Sequence, residues 1–437
     1  MRLLLYMLKR VALTTLGCKL NQYETEAIAS GLEKRGWQRV NFGEPADLCL
    51  IDTCTVTQQA DYSSRQAIYK AHRLSPQAKI VVTGCYAQIA KEQLESLPGV
   101  GLVLGSDYKE RLPELIERWF SGQELSLDGK AFNEQEDFRV FALSGHTRAF
   151  VKIQNGCQEW CSFCVIPLTR GPERSRPAPW IIDEIRTLVD CGYKEVVITG
   201  VHIGKYGWEK VRLADLLKLI LAQTELPRLR LSSIKPKEVT AELIDLIASE
   251  PRICRHLHLP LQSGDRGVLA RMKRKYTLEE FDQMVNSFAQ KIPGVTLGTD
   301  VIVGFPGETE EEFESSCRYI ENSPLNFLHV FSYSDRPNTE ASGLTPKFDP
   351  QVINKRSAVL RELGNRKWQA FLDTFPGETL SVLFESRREK IHNYLTGLAD
   401  NYIRVNLEGP DSLFNQVVPV RITRREAKLL IGELSAD

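Results

Sequence analysis

GCQEWCSFCVIP, residues 156–167, follows a short β-type run at residues 149–153 and determines how the rest of the chain is interpreted. It contains Cys157, Cys161 and Cys164 in the spacing Cys-x-x-x-Cys-x-x-Cys. A loop this tight brings three thiolates onto one compact metal centre, and soft thiolates favour iron–sulfur clusters or zinc. The spacing therefore predicts a metal centre just after a strand.

The choice between iron–sulfur and zinc depends on the number of ligands. The next cysteine is Cys191 and the nearest downstream histidine is His202, so the loop has no fourth ligand at zinc spacing, although a closed zinc site needs four. Three ligands on a four-iron cube leave one iron open, and an open iron can chelate S-adenosylmethionine (SAM). We favour such a cluster, and the alternative is a zinc or plain electron-transfer site.

The composition is ordinary for a globular protein, with 437 residues, 42% hydrophobic and 26% charged,. The 56 basic and 56 acidic residues cancel, so overall charge does not indicate nucleic-acid binding. Ten cysteines are too few for a disulfide scaffold and favour a reducing compartment,. The apolar run at residues 3–8 is too short to span a bilayer,, so we expect a cytoplasmic protein with no membrane partner.

Three further cysteines, Cys18, Cys54 and Cys85, each stand just past the carboxyl end of a predicted strand. These strands alternate with helices over residues 11–104, which predicts a parallel sheet covered on both faces. Because parallel strands place their carboxyl ends at one edge, where α/β proteins bind ligands, we expect the three cysteines to meet there. We interpret them as a second iron–sulfur site with one open iron. The alternative is three buried structural cysteines.

The middle of the chain repeats strand–helix units. Residues 123–147 are polar and read as a linker, and six βα-type units follow over residues 149–333. This pattern predicts an incomplete (β/α)6 barrel, in which chemistry takes place at the carboxyl ends of the strands. His256 and His258 share one face of a strand, and we interpret them as packing inside the barrel rather than as a metal pair.

The last part of the chain changes character. After a helix predicted at residues 350–372, five short strand-like runs predict a small β-barrel of roughly sixty residues. Two basic clusters lie there: Arg387, Arg388 and Lys390, and Arg421, Arg424, Arg425 and Lys428. Together with Tyr394 and Tyr402, these clusters are suited to RNA contact.

The three regions together resemble the methylthiotransferases, radical-SAM enzymes that insert sulfur into a C–H bond and methylate it. The resemblance covers the chain from residue 11 to nearly its end, including a TRAM-like C-terminal barrel. Its motifs are GCKLN at residues 17–21, TCTV at residues 53–56, GCYAQ at residues 84–88 and the radical-SAM loop. The contexts of the first two motifs resemble the branch that acts on threonylcarbamoyladenosine in tRNA.

The resemblance implies two 4Fe-4S clusters with these ligands: Cys18, Cys54 and Cys85 for an auxiliary cluster, and Cys157, Cys161 and Cys164 for the cluster that cleaves SAM. Together with strand position, it implies these SAM contacts: Gly200 to Tyr206, Ser232, Gln262 and Asp300. Asp52 stands where the family usually has asparagine, which implies altered hydrogen bonding near the cluster sulfurs.

The implied activity is transfer of a methylthio group to C2 of N6-threonylcarbamoyladenosine next to the tRNA anticodon. The implied partners are tRNA, an electron donor such as flavodoxin or ferredoxin, and a sulfur donor. One alternative is a methylthiotransferase for isopentenyladenosine in tRNA or for a ribosomal protein. Another is an iron–sulfur RNA-binding protein without catalytic activity.

We expect an α/β fold divided into three domains. Residues 9–122 form a parallel α/β domain with the auxiliary cluster, and residues 143–374 form the incomplete radical-SAM barrel. Residues 375–437 form the TRAM-like β-barrel.

Overall fold

The structure is a computed structural model that describes residues 9–127, 138–140 and 147–435. Most of the linker predicted at residues 123–147, and the apolar run at residues 3–8, lie outside the described residues. A parallel sheet, an incomplete barrel and a closed β-barrel follow one another along the chain, which confirms the predicted fold class. In the part of the chain that is described, no helix is both long and apolar enough to cross a membrane.

The N-terminal unit is a five-stranded parallel sheet in the order β2-β1-β3-β4-β5. Its strands are β1 (Arg10–Thr15), β2 (Gln38–Val40), β3 (Leu48–Thr53), β4 (Lys79–Gly84) and β5 (Val100–Val103). Its helices are α1 (Lys19–Glu33), α2 (Gln58–Leu74), α3 (Cys85–Ile89), α4 (Lys91–Glu95) and α5 (Leu112–Phe120). The central strand β3 is buried along its whole length, as expected when helices cover both faces. The sequence did not predict the short edge strand β2 or the helix α5.

The cysteines of this unit lie where the chain leaves a strand for a helix. Cys18 directly precedes α1, which begins at Lys19, whereas the sequence predicts a helix over residues 23–35. Cys85 is the first residue of α3, because Gly84 turns the chain sharply with a φ of 100°. A Cβ at this glycine would lie 2.3 Å from the carbonyl oxygen of Thr53, so only glycine fits the turn.

The central barrel has six parallel strands in two hydrogen-bonded sheets, β11-β8-β6 and β12-β13-β14. These six strands are β6 (Ala149–Asn155), β8 (Glu195–Gly200), β11 (Arg228–Leu231), β12 (His256–His258), β13 (Thr296–Val303) and β14 (Phe327–Ser332). Three two-residue strands, β7 (Arg174–Ser175), β9 (Gly207–Trp208) and β10 (Val211–Arg212), lie in the connections between them. A bridge between Ser233 and His258 joins the two sheets. Among the described residues no pairing closes β14 onto β6, so the barrel is incomplete, as predicted.

The helices of this unit are α6 (Ile166–Arg170), α7 (Ala178–Asp190), α8 (Leu213–Gln223), α9 (Ala241–Ser249), α10 (Arg266–Arg271), α11 (Leu278–Lys291), α12 (Glu310–Asn322) and α13 (Pro350–Leu372). Two of them begin with reciprocal caps that are readable in the sequence. Thr277 and Glu280 cap α11, and Thr309 and Glu312 cap α12, each satisfying N–H groups of the first turn.

The C-terminal unit is a closed five-stranded barrel in the order β15-β16-β17-β19-β18. Its strands are β15 (Thr379–Arg388), β16 (Leu395–Ala399), β17 (Arg404–Leu407), β18 (Val417–Glu426) and β19 (Leu429–Leu434). The sequence predicts strands at residues 378–384 and 416–422, and β15 and β18 extend beyond them to Arg388 and Glu426. Each contains an irregularity in its register, and such bulges bend a strand without ending it.

This small barrel docks against the amino ends of the central strands. Arg230 donates hydrogen bonds to the carbonyl oxygens of Ala399 and Asp400, at 3.1 and 2.9 Å. Tyr402 stacks on His256, the first residue of β12, with ring centroids 4.3 Å apart. The ring of Tyr402, a residue for which the sequence predicts RNA contact, therefore lies where the two barrels meet.

Candidate active site

A cavity of about 370 Å³ lies at the carboxyl ends of the central strands. Cys157, Cys161 and Cys164 line it, and so do Val56 and Thr57, which follow Cys54 in the N-terminal unit. The loop of the first cysteine set and the loop of the second set therefore face the same space.

Two cationic side chains surround the first cysteine of the barrel loop. Lys235 Nζ lies 3.3 Å from Cys157 Sγ, and His202 Nδ1 lies 3.8 Å from the same sulfur. Burial by itself would raise the pKa of Cys157, but the His202 contact and the Lys235 charge lower it below its ordinary value,. Burial likewise lowers the pKa of His202, yet its bonds to Cys157 and Glu238 raise it to about 9. The surroundings thus favour a thiolate at Cys157.

The other two cysteines of the loop have different surroundings. Arg274 Nη1 lies 3.5 Å from Cys161 Sγ, and the same guanidinium donates to the Pro260 carbonyl oxygen at 3.1 Å. Burial raises the pKa of Cys164 to about 12, assisted by the charge of Cys161. Because a coordinated metal deprotonates a thiol outright, such a cysteine is suited to a buried metal ligand.

The cysteines of the N-terminal unit meet at the sheet edge. A Cβ built on Gly17 would lie 3.0 Å from Cys54 Sγ, so the backbone beside Cys18 packs directly on that cysteine. Burial raises the pKa of Cys18, and it raises that of Cys54 to about 12. The charge of Cys85 adds to both shifts. Cys18 Sγ lies 3.8 Å from Asn21 Oδ1, and the Arg170 guanidinium that bonds this oxygen also donates to Cys85 Sγ.

An arginine from the central barrel reaches this first cysteine set. Arg170, the last residue of α6, donates from Nε to Cys85 Sγ at 3.2 Å. Its Nη1 donates to both carboxylate oxygens of Glu24, at 2.6 and 2.9 Å, and its Nη2 bonds the Asn21 side chain. All of these contacts are buried, so the guanidinium links the two units beside Cys85.

A second buried cation continues this network beneath the cysteines. Lys109 Nζ donates to Glu24 and to Asp52 Oδ2, the latter at 2.8 Å. Thr25 donates its hydroxyl to the same Asp52 oxygen at 3.0 Å. Asp52 was expected to change hydrogen bonding near the sulfurs, but its described contacts lie within this charge network. The charge of Asp52 also raises the pKa of Cys54, and altered hydrogen bonding near the sulfurs stays a prediction.

Neither three-cysteine set forms a close group of ligand atoms around one point. Among the described residues, one group with ligand atoms within 4.8 Å of one another contains a cysteine, Cys157 with Glu173 and His202. The N–H donors described above suit cluster sulfurs, which accept such bonds.

Two residues predicted to contact SAM lie on the cavity wall. Gln262 and Asp300 both line it, and Gly200 directly precedes Val201, which lines it as well. Gln262 has a φ of 71°. Its backbone N–H donates to the Asp300 carbonyl and its own carbonyl accepts from Ile302, each at 2.8 Å. A strained backbone held in this way by its neighbours is typical of ligand sites.

Two other predicted SAM contacts lie elsewhere. Tyr206 is buried in the core, where its hydroxyl donates to the Arg176 carbonyl oxygen at 2.9 Å. Tyr206 is not among the residues that line the cavity, and its contact with SAM stays a prediction. Ser232 lines a neighbouring cavity together with Asp300.

Sequence patterns missed Arg170, Lys235 and Arg274, the three cations nearest the sulfurs. None belongs to a motif with fixed spacing, and each contacts a cysteine far from it along the chain. One feature of the sequence could have pointed to Arg170, which follows the cysteine loop closely along the chain.

Comparisons with known proteins agree with this architecture. Residues 10–105 match the model described as uncharacterized protein family UPF0004, and residues 151–320 match the radical SAM superfamily. A solved structure of the radical S-adenosylmethionine methyltransferase TsrM from Kitasatospora setae has a similar fold, with a TM-score of 0.58. It shares 18% identity and 77% coverage of each chain.

Two curated relatives cover nearly the whole chain. The threonylcarbamoyladenosine tRNA methylthiotransferase MtaB of Aquifex aeolicus is 39% identical over 404 residues, which is 92% of this chain and 97% of the relative. The tRNA-2-methylthio-N(6)-dimethylallyladenosine synthase of Lawsonia intracellularis is 34% identical over 96% of this chain and 97% of the relative. With two cysteine sets facing one cavity, the chain belongs to the radical-SAM methylthiotransferase family, transferases that use SAM and 4Fe-4S clusters.

Proposed function

We propose that this enzyme adds a methylthio group to C2 of N6-threonylcarbamoyladenosine beside the tRNA anticodon. The observation that carries the proposal is the shared cavity, which is lined by Cys157, Cys161 and Cys164 and by the loop that follows Cys54. A reaction that both removes hydrogen from a carbon and delivers sulfur to it needs both centres at one substrate. The relative from Aquifex aeolicus supports the choice of substrate.

In this proposal the six cysteines hold the two clusters, which with SAM supply the radical that removes hydrogen and the methylthio group that replaces it. Lys235 and Arg274 stabilise the thiolates of the barrel set, and Arg170 stabilises that of Cys85. Gln262 and Asp300 orient SAM from the cavity wall. No side chain has to act as a base for the hydrogen abstraction.

We further propose that the RNA lies in a groove between the central barrel, α13 and the C-terminal barrel. This groove, of about 460 Å³, is lined by four cations and three aromatic rings: Arg148, Arg361, Arg404, Lys428, Phe327, Trp368 and Tyr402. None of its lining residues carries a carboxylate. Cations bind phosphates and aromatic faces stack on bases, so the lining suits a single-stranded RNA loop.

Adjoining cavities lead from this groove to the active-site cavity. A smaller cavity shares Phe327 and Tyr402 with the groove, and it shares Asp300 and Phe331 with the active-site cavity. A base in an anticodon loop gives up little stacking when it leaves the loop. The chain of cavities gives such a base a path from the groove to the clusters.

The compartment, the electron and sulfur donors, and the domain bounds complete the proposal. We propose a cytoplasmic enzyme that receives electrons from a donor such as flavodoxin or ferredoxin and sulfur from a separate donor, because exposed thiolates need a reducing compartment. We also propose the three domains at residues 9–122, 143–374 and 375–437.

The test is a choice between two substrates. The anaerobically reconstituted enzyme is given one threonylcarbamoylated tRNA and one isopentenylated tRNA, with SAM and a reductant, and product nucleosides are identified by mass spectrometry. We expect the methylthio product from the threonylcarbamoylated tRNA. Turnover of only the isopentenylated tRNA, or activity on a ribosomal protein with neither tRNA, would contradict the proposal.

A further inference from the structure

A second cavity of about 250 Å³ lies beside the active site, inside the central barrel. Its lining includes Lys19, Ser232, His256 and Tyr402, together with Asp300, which it shares with the active-site cavity. Lys19 directly follows Cys18, so its side chain connects the first cysteine set with this interior space.

The cations near this cavity outnumber the anions. Lys19 Nζ, Arg230 and Arg148 lie 5.8, 5.1 and 5.9 Å from the Tyr402 ring centroid. Glu195 pairs with Arg230 at 2.7 Å and lies 3.8 Å from Arg148. Within residues 9–127, 138–140 and 147–435, no carboxylate lies within 4.0 Å of the Lys19 ammonium. Lys19 is therefore a cation on the cavity wall that no described carboxylate neutralises by direct contact.

The other carboxylate of the cavity is already engaged. Asp300 Oδ1 lies 3.0 Å from His258 Nε2, on the side that opens to the active site. It does not neutralise Lys19.

Two buried polar groups in the same cavity lack a hydrogen-bond partner among the described residues. Ser232 is 9% exposed, and its hydroxyl has no hydrogen-bond partner among the described residues. His256 is 4% exposed, and within the same part of the chain its Nδ1 has none either. Buried polar groups are rarely left unpaired, so a cation and two unpaired polar groups around one cavity indicate a site for a polar, anionic ligand.

We propose that Lys19 binds the carboxylate of the threonylcarbamoyl substituent, and that Ser232 hydrogen-bonds the polar atoms of the same group. This inference rests on the proposed function. An isopentenyl group is a pure hydrocarbon and would leave the lysine and the hydroxyl unpaired. A site built for polar partners rejects an analogue that lacks them more strongly than an apolar pocket rejects an added group. Lys19 is thus a specificity-determining residue.

The chemistry of the base agrees with the position of this lysine. In adenine, C2 is bonded to N1, N1 is bonded to C6, and C6 carries the N6 nitrogen. A base with C2 at the clusters therefore carries its N6 substituent nearby. Lys19 is adjacent to Cys18 in the chain, and its cavity shares Asp300 and Phe331 with the active-site cavity. The substituent can therefore reach the lysine while C2 stays at the reacting centre.

The test compares Lys19→Met, Lys19→Arg and the surface control Lys218→Met on two anticodon stem-loop RNAs. One carries threonylcarbamoyladenosine, and the other carries the same group as its methyl ester. We expect the wild-type enzyme to favour the acid by roughly 10- to 100-fold in kcat/KM, as one charge-assisted hydrogen bond predicts. Lys19→Met should lose that preference by slowing the acid alone, whereas Lys19→Arg and Lys218→Met should keep it.

Iron content and the KM for SAM, measured on the same variants, distinguish a lysine that binds the RNA substituent from one that binds SAM or supports the cluster. If Lys19→Met raises the KM for SAM and slows both RNAs equally, the carboxylate bound is that of SAM and the inference is wrong. If the preference survives in Lys19→Met, the inference is wrong while the proposed function stands.

If the wild-type enzyme turns over an isopentenylated RNA and neither test RNA, the proposed function itself fails. Should Lys19→Met fail to load iron, Ser232→Ala must reduce the preference for the acid, or the inference is wrong.

Discussion

Arg170 of the central barrel donates a hydrogen bond to Cys85 of the N-terminal sheet, with Nε 3.2 Å from Sγ. The helix that carries Arg170 begins directly after the loop of Cys157, Cys161 and Cys164. One short segment therefore holds three thiolates of one set and a donor to the other set. The two centres are linked by this segment as well as by the cavity they share.

Replacing Arg170 with methionine should destabilise the protein strongly. The change leaves the Glu24 carboxylate buried without its main partner, and breaking a buried pair in this way costs about 3–5 kcal/mol. We expect a lower urea midpoint for the iron-free protein and less iron bound after reconstitution. Glu24→Gln combined with Arg170→Met removes both charges and should recover much of the loss. A single variant as stable as the wild type would contradict this role.

Variants of the two cysteine sets should lose different activities. Cys157→Ala should leave about half of the roughly eight irons of two cubes and abolish cleavage of SAM. Cys85→Ala should also lose iron, yet it should retain cleavage of SAM without forming the methylthio product. Cys49→Ser, Cys191→Ser and Cys317→Ser are matched controls that should keep activity. Iron analysis and assay of 5′-deoxyadenosine check this, and cleavage of SAM by Cys157→Ala would refute the assignment.

Neutralising the groove should weaken RNA binding and its dependence on salt. Arg361→Gln with Arg404→Gln removes two groove cations, and each lost phosphate contact lowers the slope of log K against log salt by about 0.7–0.9. Fluorescence anisotropy with an anticodon stem-loop measures this slope. Arg318→Gln, an exposed arginine paired with Glu314 on α12, is the control and should leave it unchanged. An equal slope in the groove variant and the control would place the RNA elsewhere.

The Glu195 pair should make stability depend on acid pH. Burial raises the pKa of Glu195, but Arg230 and Arg228 lower it to about 2 in the folded protein, below the value of about 4.3 in an unfolded chain. Its stabilisation is therefore complete above about pH 4.5 and is lost as the pH falls towards 2. Urea midpoints of the iron-free protein should decline less steeply over this interval in Glu195→Gln than in the wild type. Glu242→Gln, on the surface, should follow the wild type.

The long helices of the central barrel could be predicted closely from local signals. The sequence predicts helices at residues 278–291 and 310–322, and α11 and α12 have these bounds. Capping boxes at Thr277 and Thr309 fix where they start,. The cysteines that lie past strand ends could also be expected to meet, since the carboxyl ends of parallel strands share an edge.

Long-range partners could not be predicted in the same way. The bond from Arg170 to Cys85 spans 85 positions, and no local pattern encodes such a distance. The docking of the C-terminal barrel is a second example. Tyr402 stacks on His256, and Arg230 donates to the carbonyl oxygen of Ala399, 169 positions away. The sequence predicts RNA contact for this barrel, but no local pattern indicates where the barrel docks.

The buried bond between Glu24 and Arg170 also sets an order of assembly during synthesis. The two residues are 146 positions apart, so at about 5–20 residues per second the ribosome adds Arg170 roughly 7–30 s after Glu24. Until then, Glu24 and Asp52 share only Lys109, and Cys85 has no guanidinium beside it. The sheet is translated first, yet its metal-binding edge is completed only after the second cysteine loop has been made.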